Sequence, residues 1–325
     1  MVEYRKLGRS GLRVSTIALG SWLTFGQTVS DDTAFECVRT AYDLGVNYFD
    51  TADVYQGGKA EDALAKALKG IPRTSYVLAT KAFWPSGQGP NDRGLSRKHL
   101  FESVHQSLRR LGTDYVDLFF CHRFDPETPV EETLRALDDL VRQGKILYPA
   151  VSEWSAAQME RALGIADARG FDRIVSDQPL YNMFDRGIER EILPLAEREG
   201  IGLVVFSPLA QGLLTGKYRV GEAPKAGYRG ADPRLGAFMK RRLEDEAVLR
   251  QVETLDGLAR EAGMPLAHLA LAWVLRQPAV ASAITGATRA EQVRQNVGAA
   301  DVRLDPDLLA RVEAVLSGDK ATVRA

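Results

Sequence analysis

The sequence has very little cysteine: Cys37 and Cys121 are the only two in 325 residues, and no C-x-x-C pair occurs. A disulfide framework and the usual zinc-ligand spacings are therefore excluded, and no metal site is expected. Unpaired, sparse cysteine is typical of proteins from a reducing compartment, which predicts a cytoplasmic location.

Long apolar runs and an excess of one charge are also missing. No run approaches the roughly 18 apolar residues that a membrane span needs, and the N-terminus lacks the apolar core of a signal peptide. The formal net charge is -1, so the overall attraction on which non-specific nucleic-acid binding depends is absent. We therefore expect neither membrane insertion nor nucleic-acid binding.

A glycine fingerprint is the third absence. The first apolar run leads into Gly20-Ser21-Trp22-Leu23, without G-x-G-x-x-G, and Gly212 to Tyr218 is one residue short of a P-loop and lacks its Ser/Thr. This argues against a doubly wound dinucleotide-binding sheet, the competing architecture, and against hydrolysis of nucleoside triphosphates.

What the sequence contains is a regular alternation of short apolar runs with amphipathic segments of helical spacing. Glycines such as Gly45, Gly112 and Gly200 follow the amphipathic segments, where helices are expected to end. Eight such units predict an α/β fold, a single-domain closed (β/α)8 barrel over residues 1–325, preceded by a hairpin over about residues 4–15. The runs begin at Ile17, Tyr48, Tyr76, Val116, Ile146, Ile174, Leu203 and Ala281.

Four ionisable side chains follow three successive runs. Asp50 ends one run and Tyr55 comes five residues later, while Lys81 and His122 end the next two runs. Each residue alone has a simpler interpretation, such as a helix N-cap for Asp50 or a structural role for His122. Their shared position at strand ends favours a common site over these separate interpretations, because the carboxyl ends of neighbouring parallel strands meet at one place.

This combination predicts acid–base chemistry at an oxygen atom. The Lys81 ammonium would lower the pKa of the Tyr55 phenol, which could then donate a proton to a developing alkoxide. Asp50 would orient Lys81, and His122 would hydrogen-bond the same oxygen. Such a site fits carbonyl reduction, although the pattern alone does not identify the hydride source.

Two further features concern the same end of the predicted barrel. Trp22 and Trp84 lie just past strands and are expected to line a substrate pocket with Tyr55 and His122, core packing being the alternative. The segment 220–242 follows the seventh run and is rich in Gly, Pro, Lys and Arg. We expect it to fold over a bound cofactor, with Lys225, Arg229 and Arg234 approaching phosphates.

The chain resembles an aldo-keto reductase, and within that superfamily the branch that contains the voltage-gated potassium-channel β subunits. The resemblance extends over nearly the whole chain. It is carried by Gly20 to Gly26, Phe49 to Tyr55, Thr80 to Trp84, Arg93 to His99, Ser152 to Ser155, Phe206 to Gly212 and Gly286 to Gln292.

The resemblance implies a barrel whose floor is closed by the hairpin and NADPH-dependent reduction of a small aldehyde or ketone. Asp50, Tyr55, Lys81 and His122 match the catalytic residues of the family, with Tyr55 as the proton donor. Many relatives have Arg where Gln292 stands, so the 2'-phosphate contact would fall to Arg289 or Lys217. The residues matched to NADPH or NADP+ binding are Ser21, Trp22, Gln27, Asp50, Ser152, Gln178, Phe206, Ser207, Pro208, Leu209, Gln211, Gly212, Lys217, Arg229, Gly286, Thr288, Arg289, Gln292, Gln295 and Asn296.

Two other functions stay open. One is a cofactor-binding, redox-sensing regulatory subunit with slow turnover, and the other is a nucleotide-free structural barrel. The mammalian channel β subunits of that branch carry Asn where His122 stands, and the chain starts almost directly with the hairpin, so a working reductase is the favoured interpretation. The sequence leaves homo-oligomerisation open.

Overall fold

The computed structural model of the chain describes residues 2–233 and 236–318. It begins with an antiparallel hairpin of β1 (Tyr4–Lys6) and β2 (Arg13–Ser15). Leu7 and Val14 are fully buried in the apolar cluster that fills the barrel interior. The hairpin also bonds to the backbone just before one of the barrel strands, since the Arg9 amide donates to the Gly200 carbonyl at 2.8 Å. It therefore closes the amino-terminal end of the barrel, as predicted.

Eight parallel strands form the barrel, and β10 pairs with β3 to close it. This closure confirms the predicted (β/α)8 architecture and excludes the open doubly wound sheet. The strands are β3 (Ile17–Gly20), β4 (Tyr48–Asp50), β5 (Val77–Ala82), β6 (Val116–Cys121), β7 (Ile146–Val151), β8 (Ser176–Asp177), β9 (Gly202–Phe206) and β10 (Val280–Thr285).

Helices pack around the barrel, each strand being followed by one or more. Serine side chains cap several of them; Ser155, for example, forms a capping box with Gln158. Gly112 and Gly200 each end a helix in the left-handed conformation that glycine adopts without strain. The helices are α1 (Asp31–Asp43), α2 (Lys59–Leu68), α3 (Arg97–Leu111), α4 (Val130–Arg142), α5 (Ala156–Arg169), α6 (Ile192–Glu199), α7 (Lys240–Leu243), α8 (Glu246–Glu261), α9 (Leu266–Leu275), α10 (Ala290–Val297) and α11 (Pro306–Ser317).

Alternating strand residues separate two apolar layers. Phe120 belongs to the cluster inside the barrel, whereas Phe119 and Cys121 belong to the cluster between barrel and helices. Cys121 therefore faces away from the barrel mouth, as expected for the neighbour of His122.

The segment between β9 and α8 crosses the carboxyl end of the barrel. Ala226 to Arg229 line the cavity there, whereas Lys225 is exposed and Arg234 lies outside the described residues. None of the helices within 2–233 and 236–318 is both long and apolar enough to cross a membrane.

Candidate active site

The carboxyl ends of β4, β5 and β6 form one part of the barrel mouth, because these strands are consecutive neighbours. Asp50 ends β4, Lys81 is the penultimate residue of β5, and His122 directly follows β6. Tyr55 opens a short turn of 3-10 helix after β4. The structure thus brings together the four side chains expected to converge.

Lys81 lies at the centre of this group and is completely buried. Its Nζ donates to Asp50 Oδ1 at 2.6 Å and to the Thr51 carbonyl at 2.8 Å, and it lies 3.5 Å from the Tyr55 hydroxyl oxygen. The second carboxylate oxygen of Asp50 accepts a bond from Gln178 Nε2 at 2.9 Å. Asp50 and Lys81 are therefore held rigidly behind the Tyr55 hydroxyl.

The expected lowering of the pKa of Tyr55 is not found. Burial and the Asp50 charge raise its pKa well above the usual value, and Arg123 opposes this rise only in part. Burial also lowers the pKa of Lys81, against the opposing charge of Asp50. Because Asp50 largely neutralises Lys81, the pair gives the phenolate little net stabilisation, and Tyr55 keeps its proton.

His122 lies beside Tyr55 at the cavity wall. The two rings meet edge to face with centroids 5.8 Å apart, and the Trp84 ring lies 6.4 Å away on another side. Burial, reinforced by the charges of Lys81 and Arg123, lowers the pKa of His122 well below 6.5. The imidazole is therefore neutral at physiological pH and can act as a hydrogen-bond donor without carrying a charge.

A cavity of about 1110 Å³ opens above these residues. It exceeds the usual size of a small-molecule site, which leaves room for a large cofactor together with a small substrate. Trp22, Tyr55, Trp84 and His122, the four predicted pocket residues, all line it.

Most residues assigned by resemblance to cofactor binding also line this cavity, with two exceptions. Ser21 is buried behind the wall, where its hydroxyl donates to Thr51 Oγ1 at 2.8 Å, and Gln27 is exposed outside it. The assigned residues that do line it are Trp22, Asp50, Ser152, Gln178, Phe206, Ser207, Pro208, Leu209, Gln211, Gly212, Lys217, Arg229, Gly286, Thr288, Arg289, Gln292, Gln295 and Asn296.

Three cations gather at one end of the cavity. Burial lowers the pKa of Lys217, and the charges of Arg229 and Arg289 lower it further. Among the described lining residues the only carboxylate is Asp50, which is bound to Lys81 and Gln178. This cluster therefore has no acidic counter-ion in the described part of the chain, and an anion would relieve its mutual repulsion.

Several lining residues were missed from the sequence. Arg123, Gln56, Tyr228 and His268 all border the cavity. His268 lies at the cavity edge, where its Nε2 contacts the Gln295 carbonyl at 2.6 Å. The position of Arg123 directly after His122 was the one local signal that could have revealed it.

The comparison with known proteins explains this arrangement. The model of the aldo/keto reductase family matches residues 16–317. The chain belongs to the aldo/keto reductase family. A probable voltage-gated potassium channel subunit beta from Arabidopsis thaliana is 45% identical over 320 residues, covering 97% of each chain. Its counterpart from Oryza sativa subsp. japonica is 44% identical with the same coverage. Membership of this reductase family makes an oxidoreductase the supported class of enzyme.

Proposed function

We propose that the protein reduces aldehydes or ketones to alcohols with NADPH and that Tyr55 supplies the proton. The observation that carries this proposal is the Tyr55 hydroxyl at the cavity wall, 3.5 Å from the buried Nζ of Lys81. NADPH, when bound, supplies the hydride that forms the new C–H bond. The proton from Tyr55 then completes the O–H bond of the alcohol.

The buried pair behind Tyr55 suits a proton donor. A phenol with a raised pKa holds its proton until negative charge develops on the substrate oxygen. Lys81 is anchored by Asp50 and by the Thr51 carbonyl, so its Nζ keeps a fixed position 3.5 Å from the Tyr55 hydroxyl. The neutral His122 imidazole orients the carbonyl and donates a hydrogen bond to its oxygen without an expensive buried charge.

The residues at the other end of the cavity fit NADPH. Lys217, Arg229 and Arg289 form a cation cluster without a described acidic partner, as expected of a site for phosphates. Ser207 and Gln211 adopt positive φ angles of 51° and 59° in the turn that borders this cluster. The other groups proposed to hold the cofactor are Ser152 and Gln178 at the nicotinamide amide, Phe206 at its ring, and Thr288, Gln292 and Asn296 at the adenosine.

A second candidate function is a regulatory subunit with slow turnover. Its support is the similarity to plant proteins described as probable voltage-gated potassium channel subunits beta. The two functions differ in turnover, because a regulatory subunit would bind NADPH without rapidly reducing any member of a broad carbonyl panel.

The test is substitution of Tyr55 by Phe, with NADPH absorbance followed over an aldehyde and ketone panel. We expect kcat to fall by about 10²–10⁴-fold because the general acid is lost, while NADPH still quenches protein fluorescence. Tyr48→Phe is the matched control: this buried hydroxyl in the barrel interior has no hydrogen-bond partner among the described residues. A loss below tenfold in Tyr55→Phe would remove Tyr55 as the donor. Absence of turnover by the unsubstituted protein would favour the regulatory subunit.

A further inference from the structure

Arg123 places a second positive centre in the cavity, separate from the cation cluster described above. It directly follows His122, and its guanidinium lines the cavity wall. Its charge acts on Lys81, Tyr55 and His122, whereas the charges that act on Lys217 are those of Arg229 and Arg289. Arg123 therefore lies at the reacting end of the cavity and the cluster lies at the other end.

The guanidinium of Arg123 uses few of its donors within the protein. Nη1 donates to the His122 carbonyl at 2.6 Å, and Cζ lies 5.7 Å from the centroid of the Trp84 ring. No carboxylate among residues 2–233 and 236–318 forms an ion pair with it. The nearby Asp125 is occupied, because Oδ1 accepts from the Glu127 amide and Oδ2 accepts from the Leu95 amide and the Thr128 hydroxyl.

An arginine held in this way can recognise an anionic group on the substrate. The bond to the His122 carbonyl and the contact with Trp84 fix the plane of the guanidinium while Nε and Nη2 have no partner among the described residues. A planar pair of N–H donors matches the two oxygens of a carboxylate. The charge of Arg123 also lowers the pKa of Tyr55, against the larger effect of burial, but that influence is the same for every substrate.

We propose that Arg123 binds a carboxylate of the substrate, so that the preferred substrates are aldehydes with a carboxylate a few carbons from the carbonyl. This inference rests on the proposed reductase function and narrows its substrate class. The carboxylate would lie on Nε and Nη2 of Arg123, the chain between the two groups would run along Trp84, and the carbonyl oxygen would reach Tyr55 and His122. Reduction of the aldehyde leaves the carboxylate unchanged, so the product is a hydroxy acid.

The test compares succinate semialdehyde with its uncharged methyl ester at saturating NADPH. We expect kcat/KM to favour the carboxylate, and Arg123→Gln to lower kcat/KM by about 10- to 100-fold more for the carboxylate than for the ester, because any effect on Tyr55 is common to both substrates. Arg123→Lys should restore part of the preference, since a point charge replaces the planar pair of donors. Arg109→Gln on α3 is the matched control, because it removes an exposed arginine outside the cavity.

Binding without turnover gives an independent result. Butyrate should change the fluorescence of the cavity tryptophans in the NADP+ complex, butyramide should bind more weakly, and Arg123→Gln should abolish the difference. Equal kcat/KM for acid and ester, or an equal loss for both in Arg123→Gln, would overturn the inference and leave Arg123 acting on Tyr55 alone. If neither aldehyde is reduced but butyrate still binds through Arg123, the reductase function fails and the carboxylate site stands.

Discussion

At the scale of single residues, Asp53 is a buried acid next to the proposed proton donor that the chemistry does not use. Neither of its carboxylate oxygens has a hydrogen-bond partner of good geometry among the described residues. Burial, reinforced by the neighbouring Glu61 charge, raises the pKa of Asp53 from 3.8 to about 7, with Arg110 opposing. Glu61 itself is bound to Arg110 at 2.5 Å and to the Thr80 hydroxyl at 2.6 Å, and no hydrogen bond joins it to Asp53.

This shift predicts a pH-dependent loss of stability. Between pH 3.8 and about 7 the folded protein holds a proton on Asp53 that the unfolded chain has released, so the free energy of unfolding falls as pH rises through this window. The full difference is of order 4 kcal/mol, taken as roughly 1.4 kcal/mol per pKa unit. Asp53→Asn should flatten the dependence of the denaturation midpoint on pH relative to Asp62→Asn, an exposed acid on α2. Parallel profiles for both variants would show that Asp53 ionises normally.

His122 leads to a prediction about turnover. Replacing His122 by Asn keeps a hydrogen-bond donor but places it on a shorter side chain, so kcat/KM should fall by about 10-fold or more, equivalent to roughly 1.4 kcal/mol of transition-state stabilisation. Because the pKa of His122 lies well below 6.5, the ratio of variant to unsubstituted protein should stay constant from pH 6 to 8. His105→Asn, on α3 and outside the cavity, is the control. A ratio that changes with an apparent pKa near 6.5 would mean that His122 acts as a charged acid.

At the scale of secondary-structure elements, the amino-terminal end of α10 shows how a local turn positions the proposed phosphate site. Gln292 Oε1 accepts from the Thr288 amide at 2.8 Å and from the Thr288 hydroxyl at 3.1 Å. The Gln292 side chain therefore braces the turn before the helix, and Arg289, the N-cap residue, stays exposed at the cavity edge. Gln292 therefore supports the turn, while Arg289 keeps a cation at the cavity edge.

We expect Arg289→Ala to raise the Kd of NADPH by about 10- to 100-fold and to leave that of NADH almost unchanged, because the lost partner is the 2'-phosphate. Fluorescence titration of both dinucleotides measures the two constants. Arg294→Ala is the matched control, since Arg294 is exposed on the same helix but does not line the cavity. An equal loss for both dinucleotides would move the 2'-phosphate contact to Lys217 or Arg229.

At the scale of the whole molecule, the hairpin that stabilises the fold and the residues proposed for the chemistry lie at opposite ends of the barrel. The hairpin plugs the amino-terminal end through Leu7, which is fully buried against the interior cluster. The cavity occupies the carboxyl end, where the strands deliver Asp50, Lys81 and His122. Changes at the floor should therefore affect folding without changing the site.

Leu7→Ala tests this separation. Loss of a fully buried leucine should lower the free energy of unfolding by about 2–5 kcal/mol, while the KM of the folded protein stays the same. Denaturant titration and steady-state kinetics measure the two quantities. Leu147→Ala, at a leucine with 42% of its surface exposed, should change stability by less than about 0.5 kcal/mol. A raised KM in Leu7→Ala would show that the floor and the mouth of the barrel are coupled.

The sequence alone was sufficient for the barrel and for the four side chains at its mouth. Apolar runs, helical spacing and terminal glycines are local properties of the chain, and eight repeats of one unit leave closure as the solution without a free sheet edge. The strand ends were therefore predictable, and with them the convergence of Asp50, Lys81 and His122. The starts and lengths of the strands were harder to predict. The run predicted from Ile174, for example, forms only the two-residue strand β8 (Ser176–Asp177).

Only the tertiary structure decided which residues face the cavity and how the ionisable groups are shifted. Ser21 and Gln27 do not line the cavity, whereas Arg123 and His268 do, because these outcomes depend on packing between segments far apart in the chain. The pKa of Tyr55 rises where the sequence predicted a fall, since its burial and its closeness to the Asp50 charge appear only after folding. Asp50 is held there by bonds that it accepts from Lys81 and from Gln178, which lies 128 residues further along the chain. Desolvation and charge pairing are properties of the assembled site, and no local pattern in the sequence encodes them.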